Sequence, residues 1–260
     1  MDVESLSAFV DRLADTASDS IMPLFRASVS VENKSSGGFD PVTAADREAE
    51  AAMRKLIGEA YPDHGIVGEE YGSDRADAEF VWVLDPIDGT RAFITGLPVW
   101  GCLIGLLHQG KPVLGMMAQP FTGERYAGDG KRAWYTGPGG ARTIATRPCN
   151  SLAEAALFTT SPSLFPEADL PDYQRVERAV RLARYGVDCY AYCMVGSGHA
   201  DIVVEAGLQS YDIVALIPMI EGAGGRVTTW DGGSAASGGR IAATGDPRLH
   251  EKVLETLAAA

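Results

Sequence analysis

The sequence predicts a mixed α and β fold in two parts, and three observations predict it. Hairpin signals at Gln109-Gly110-Lys111-Pro112 and Asp129-Gly130 sit between apolar runs, which makes an antiparallel sheet in the first part. Apolar residues at helical spacing place amphipathic helices before that sheet. After Gly137-Pro138-Gly139-Gly140, strand-like and helix-like segments alternate. That Gly/Pro stretch is the expected joint between an N-terminal half, 1–138, and a C-terminal half, 139–260.

Each element has its own reason. Leu6, Phe9, Val10, Leu13, Ala14, Ala17 and Ile21 line one face of an opening helix. Val29 and Val31 suggest a strand leading to Asn33, Lys34 and the loop Ser35-Ser36-Gly37-Gly38. A flexible loop beside Lys34 suits closure over a ligand, and equally suits a plain hairpin. Thr43 and Asp46 form a capping-box pair for a helix running to about Ile57. Ile66 and Val67 make a short strand that ends in Gly68-Glu69-Glu70, and Ser73–Glu79 reads as an acidic loop. Phe80–Leu84 is a buried strand expected to stop at Asp85, because Pro86 removes an amide donor. In the second half, Leu157–Thr160, Asp201–Glu205, Arg226–Trp230 and Ile241–Thr244 read as strands. Helices are expected around Val176–Ala183, over Cys189–Val195, over Ile213–Ala223 with a kink at Pro218, and from Pro247.

Composition narrows the function. The 260 residues carry a net charge of −13, so the surface repels nucleic acid and anionic membranes. No apolar run reaches the roughly 20 residues of a membrane span, and the acidic start MDVESLSAFV is unlike a signal peptide. Cys102, Cys149, Cys189 and Cys193 form no CxxC and read as core thiols in a reducing compartment, so a cytoplasmic location is expected. The four histidines show no metal spacing.

The chemistry concentrates where the Phe80 strand ends. Asp85 and Asp88 stand three residues apart in a turn, both able to point at one spot, with the Ile87 carbonyl exposed between them. Oxygen donors of this kind suit Mg²⁺ better than Zn²⁺. The amides of Gly89 and Thr90 open a helix, a natural place for an anion. The same dipeptides serve ordinary turns, so the rest of the chain has to decide. Asp46, Glu69, Asp85, Asp88 and Asp212 each sit at the end of a predicted element beside a glycine or a cap.

Gly68–Glu70 (GEE), Trp82–Phe93 (WVLDPIDGTRAF) and Tyr211–Gly225 (YDIVALIPMIEGAGG), with Lys34 and the DPVTAAD of Asp40–Asp46, make the chain similar to the inositol monophosphatase superfamily of metal-dependent, often lithium-sensitive phosphatases. The resemblance implies an α+β, αβαβα layered sandwich, a homodimer, and Mg²⁺, two or three ions per site. It implies metal ligation by Glu69, Asp85, the Ile87 carbonyl, Asp88 and Asp212. It also implies phosphate contacts from Gly89 and Thr90, water activation by Asp46 with Thr90, and a supporting place for Glu70. GTRAFITGLPVWG, RYGVDCYAY and YDIVALIPMIEGAGG look like the histidinol-phosphate phosphatase branch, with Tyr211 and Val214 departing from the general signature. For that branch Arg184, Asp188, Glu205 and Asp212 become the expected substrate contacts, the acids suiting an ammonium and an imidazole. The expected reaction is hydrolysis of L-histidinol phosphate. Alternatives are an inositol or broader sugar phosphatase using the same catalytic set, or a metal- and phosphate-binding regulator without turnover. The presence of both Asp46 and Thr90 speaks against the last.

Overall fold

The computed structural model describes residues 3–27, 32–33 and 41–259. Lys34, the Ser35–Phe39 loop and the expected Val29–Val31 strand lie outside the described residues. The chain forms five layers, helices alternating with two sheets. Helices α1 (Val3–Ile21) and α2 (Ala44–Ala60) cover the outer face of the first sheet. That sheet has eight strands: β3 (Gly65–Gly68), β4 (Gly72–Asp74), β5 (Phe80–Asp88), β6 (Gly101–His108), β7 (Lys111–Gln119), β8 (Glu124–Gly128), β9 (Ala133–Thr136) and β10 (Arg142–Ile144). Their order is β10-β9-β8-β7-β6-β5-β3-β4, antiparallel except where β3 runs parallel to β5. A further short pair, β1 (Glu32–Asn33) and β2 (Pro41–Val42), stands apart.

The middle layer is made by α5 (Asp188–Gly196), α6 (Ser210–Ile213) and α7 (Ile217–Gly222). Beyond it lies a five-stranded sheet, β12-β11-β13-β15-β14, from β11 (Ala156–Thr159), β12 (Leu182–Tyr185), β13 (Ile202–Leu208), β14 (Arg226–Thr229) and β15 (Gly239–Thr244). Helices α4 (Leu170–Ala179) and α8 (Pro247–Ala258) close the far side. The two-residue period of a strand explains the layering. On β6, Cys102, Ile104 and Leu106 face α1 and α2, while Leu103 faces the middle helices. On β13, Ile202 and Val204 pack toward α4 and α8, and Val203 packs inward. Both sheets are covered on both faces, so their strands read as nearly continuous apolar runs.

Three readings of the sequence are corrected. The strand from Phe80 does not stop at Asp85; it continues to Asp88 through a bulge, in which Asp85 faces Leu103 and Asp88 faces Gly101. Pro86 falls inside that bulge, where no ladder donor is required. Gly137–Gly140 is the turn of a hairpin, because β10 pairs with β9 and carries the first sheet on to Ile144. Ile213–Ala223 is two short helices, and Pro218 lies in the first turn of the second, where its missing N–H costs nothing. In addition, the start of the Ser73–Glu79 segment belongs to edge strand β4, and the helix expected around Val176–Ala183 ends at Ala179, with Ala183 already in strand β12. The four cysteines are free and buried, and His250 is buried between the hydroxyls of Thr228 and Thr244, at 2.8 and 3.0 Å.

A row of glycines sets how closely the middle layer approaches. Gly105, Gly115 and Gly128 are register neighbours on β6, β7 and β8. A Cβ on Gly115 would lie 1.9 Å from the Ala215 carbonyl oxygen, and one on Gly128 would lie 2.5 Å from the Met219 Cα. The α6–α7 segment therefore rests directly on sheet backbone. Gly115→Ala should destabilise the fold by about 1–3 kcal/mol, read as a lower denaturant midpoint. Gly58→Ala, in the exposed last turns of α2 with nothing within 4 Å, should instead gain up to about 1 kcal/mol. Equal effects at the two positions would contradict the close-packing account.

Candidate active site

The bulge at the end of β5 builds the centre of the site. The Asp85 carboxylate accepts the Ile87 amide at 3.1 Å, and the Thr90 hydroxyl donates to the Ile87 carbonyl at 3.1 Å. Gly89 has φ +86°, and a Cβ there would stand 3.1 Å from the Asp188 side chain, so both conformation and space demand glycine. Helix α3 (Thr90–Ile94) starts at once. Asp88 accepts the Cys189 amide at 2.7 Å, which ties the corner to the first turn of α5. Asp212 arrives on α6 and accepts the Gln209 amide at 2.6 Å, a capping box that fixes its carboxylate.

One oxygen from each of Asp85, Asp88 and Asp212 lies within 4.8 Å of the others. Burial, followed by the charges of Glu69, Asp88 and Asp212, raises the Asp85 carboxyl well above its ordinary range. Asp88 is raised in the same way, by burial and then by Asp188 and Asp212. Carboxylates that raise one another are short of positive charge. Hard oxygen donors converging at this spacing fit a divalent cation of the Mg²⁺ type.

Asp46 is buried on the first turn of α2, within reach of the charge of Glu69. One of its oxygens accepts the Thr43 amide at 2.9 Å and the Thr43 hydroxyl at 2.7 Å. The other, Oδ1, is buried and meets no partner among the described residues. Glu69 interacts with Asp85 by charge and hydrogen bond and lines the cavity above it. The turn after Gly68 is held by a residue that the sequence reading passed over, Glu50. Its carboxylate is fully buried on α2 and accepts the Glu70 amide at 2.7 Å, the Tyr71 amide at 3.2 Å and Arg54 Nε at 2.7 Å. Gly68 is required because a Cβ there would lie 2.1 Å from Glu50 Oε1. The one signal in the sequence is that Glu50 follows Asp46 by a helical turn.

The cavity measures about 480 Å³ and runs from Glu69, Asp88 and Thr90 to Arg91, Asp188, Glu205 and Asp212. Asp188 opens α5 with φ +40°, and burial pushes its carboxyl up to about 6 against the opposing pull of Arg91. Glu205, at 5 % exposure on β13, is pushed up to about 7 by burial. It accepts the Thr160 amide at 2.6 Å, the Thr160 hydroxyl at 3.0 Å and the Thr159 hydroxyl at 3.2 Å. Arg184 is not brought to this cavity. It lies exposed on β12, the edge strand of the second sheet. The cavity's arginine is Arg91, directly after the DPIDGT motif, which the sequence reading left without a role.

A sequence profile described as the inositol monophosphatase family matches residues 2–260. The chain belongs to the inositol monophosphatase family. Among its relatives is the bifunctional phosphatase IMPL2 (chloroplastic) of Arabidopsis thaliana, 42% identical, with the match covering 98% of this chain and 76% of that protein. A histidinol-phosphatase of Mycobacterium tuberculosis is 34% identical, covering 84% of each chain. An inositol monophosphatase structure from Zymomonas mobilis superposes with a TM-score of 0.89 at 40% identity, over 100% of both chains. The five-layer α+β architecture expected from the resemblance is thus the observed one, and the chain is a family phosphatase.

Glu50→Gln tests how the Glu69 turn is held. Exchanging one carboxylate oxygen for an amide donor leaves the Glu70 and Tyr71 amides competing for one acceptor. Divalent-cation affinity, measured by calorimetry, should fall about 10- to 100-fold. Unchanged affinity would separate Glu50 from the site.

Proposed function

We propose that the protein is a Mg²⁺-dependent phosphomonoesterase whose preferred substrate is L-histidinol phosphate. The observation that carries this reading is the pair Asp188 and Glu205 in the wall of the cavity, beyond the converging carboxylates. An inositol ring offers hydroxyls, whereas an amino alcohol bearing an imidazole offers cations, and two carboxylates favour the second. A relative named histidinol-phosphatase supports the same choice.

In this reading Glu69, Asp85, the Ile87 carbonyl, Asp88 and Asp212 hold Mg²⁺. When bound, the ion supplies positive charge against the phosphoryl group and acidity to nearby water. The chain's own residues do the rest. The amides of Gly89 and Thr90 donate to phosphate oxygens. The Thr90 hydroxyl spends its proton on the Ile87 carbonyl, so its lone pairs remain to accept from the attacking water. Asp46 Oδ1, without a partner among the described residues, is the second acceptor and takes the proton. Glu70 braces the Glu69 turn through the hydrogen bond that its backbone N–H donates to the Glu50 carboxylate. Arg91 moderates the charge of Asp188 at the alcohol end.

Phosphate release from L-histidinol phosphate, inositol phosphate and fructose bisphosphate, with Mg²⁺ and then with EDTA, tests the reading. The first should lead by at least tenfold in kcat/KM, and EDTA should abolish all three. Preference for inositol phosphate would overturn the substrate assignment, and no release with any divalent ion would favour a binding protein. Asp188→Asn, which tolerates the left-handed backbone, should lower the histidinol-to-inositol ratio about tenfold. The same ratio should fall as pH drops from 8 to 6. Raised carboxyls near 7 and 6 gain protons in that window and stop attracting a cation. A ratio indifferent to both changes would remove Asp188 and Glu205 from recognition.

A further inference from the structure

Beside Asp188 and Glu205 lies a nook of about 20 Å³, bounded by the polar side chains of Asp88, Thr160, Asp188, Tyr192, Glu205 and Asp212 and by Cys189 and Leu208. That volume takes one water-sized group. Tyr192 projects from α5 and is 3% exposed. Its hydroxyl is buried and finds no hydrogen-bond partner among the described residues. After burial, the charges that act most on this phenol are those of Glu205, Asp88 and Asp212, which line the same nook. A buried hydroxyl without a partner destabilises a fold and calls for an occupant that bonds it.

We propose that the nook seats the primary ammonium of the substrate, with Tyr192 Oη, Asp188 and Glu205 as its three acceptors. This deepens the histidinol-phosphate reading and rests on it. A water would also fit by size, but it would bring no positive charge to Asp188 and Glu205. An ammonium of similar size brings positive charge and three donors, which match the carboxylates of Asp188 and Glu205 and the lone pair of the Tyr192 oxygen. Asp88 and Asp212 border the nook and also belong to the converging carboxylate set. The nitrogen therefore sits close to the phosphoryl group, which selects phosphate esters of 2-amino alcohols, with nitrogen two carbons from the ester oxygen.

The test compares 2-aminoethyl phosphate, its N,N,N-trimethyl analogue and ethyl phosphate on the wild-type enzyme and on Tyr192→Phe. With the wild type, the aminoethyl ester should exceed ethyl phosphate at least tenfold in kcat/KM, and trimethylation should erase the advantage because the larger head does not enter. Tyr192→Phe should cut the aminoethyl-to-ethyl ratio about tenfold, through KM, without lowering the melting temperature. A crystal soaked with histidinol should show nitrogen in the nook within hydrogen-bond distance of Tyr192 Oη. A trimethylated ester as good as the amine, an unchanged ratio in the variant, or a water in the nook of the soaked crystal would each overturn the assignment. If L-histidinol phosphate beats inositol phosphate while these results fail, the nook is wrong and the substrate reading stands. If inositol phosphate wins, the substrate reading falls first.

Discussion

Repulsion among the carboxylates of Glu69, Asp85, Asp88 and Asp212 is the constraint to which the rest of the structure answers. Two unit charges about 5 Å apart at an effective dielectric near 20 oppose each other by about 3 kcal/mol. Several such pairs operate here, and the fold holds them together regardless. Each acid is held by its own support: a bulge with an internal amide bond for Asp85, a helix-start amide for Asp88, a capping box for Asp212, and the Glu50 carboxylate beneath the turn of Glu69. Holding negative groups this way costs stability without a cation and gains it with one. Pre-organised oxygens do not have to move when the ion arrives, which is the condition for tight and selective binding.

The supports differ in how far their signals reach along the chain, and that decides what was readable beforehand. Asp85, Pro86, Asp88 and Gly89 declare their turn within five residues, and Thr43 with Asp46 declares its cap within four. Those were legible because the bonds that fix them are local. The five-layer order followed from the resemblance more than from periodicity, since strands covered on both faces lose the alternation that would show which side is which. Glu50 and the Gly105–Gly115–Gly128 row were not legible at all. Glu50 meets Glu70 and Tyr71 some twenty positions away, and Gly115 meets Ala215 a hundred positions away. Arg184 lies apart from the cavity for a related reason. Its motif neighbour Asp188 begins a helix inside the cavity, but Arg184 itself still belongs to an exposed edge strand. Four residues of sequence distance crossed the boundary between wall and surface.

In the proposed reading, the phosphate end and the alcohol end of the cavity belong to different sheets. Glu69, Asp85 and Asp88 come from the eight-stranded sheet, while Glu205 comes from the five-stranded one. Helix α5 joins them. Its first turn carries Asp188, donates the Cys189 amide to Asp88, and sends the Tyr190 hydroxyl to Glu124 on β8. Helix α5 is therefore tied to the first sheet at two points, once through its backbone and once through a side chain, and Asp188 and Tyr192 project from that frame. A frame tied outside its inner face lets side chains on that face change without disturbing the converging acids. One family can then keep a single phosphoryl centre and exchange a hydroxyl-binding wall for a cation-binding one. In the proposed reading that exchange is written in Asp188 and Tyr192, two residues one helical turn apart, and not in the DPIDGT corner.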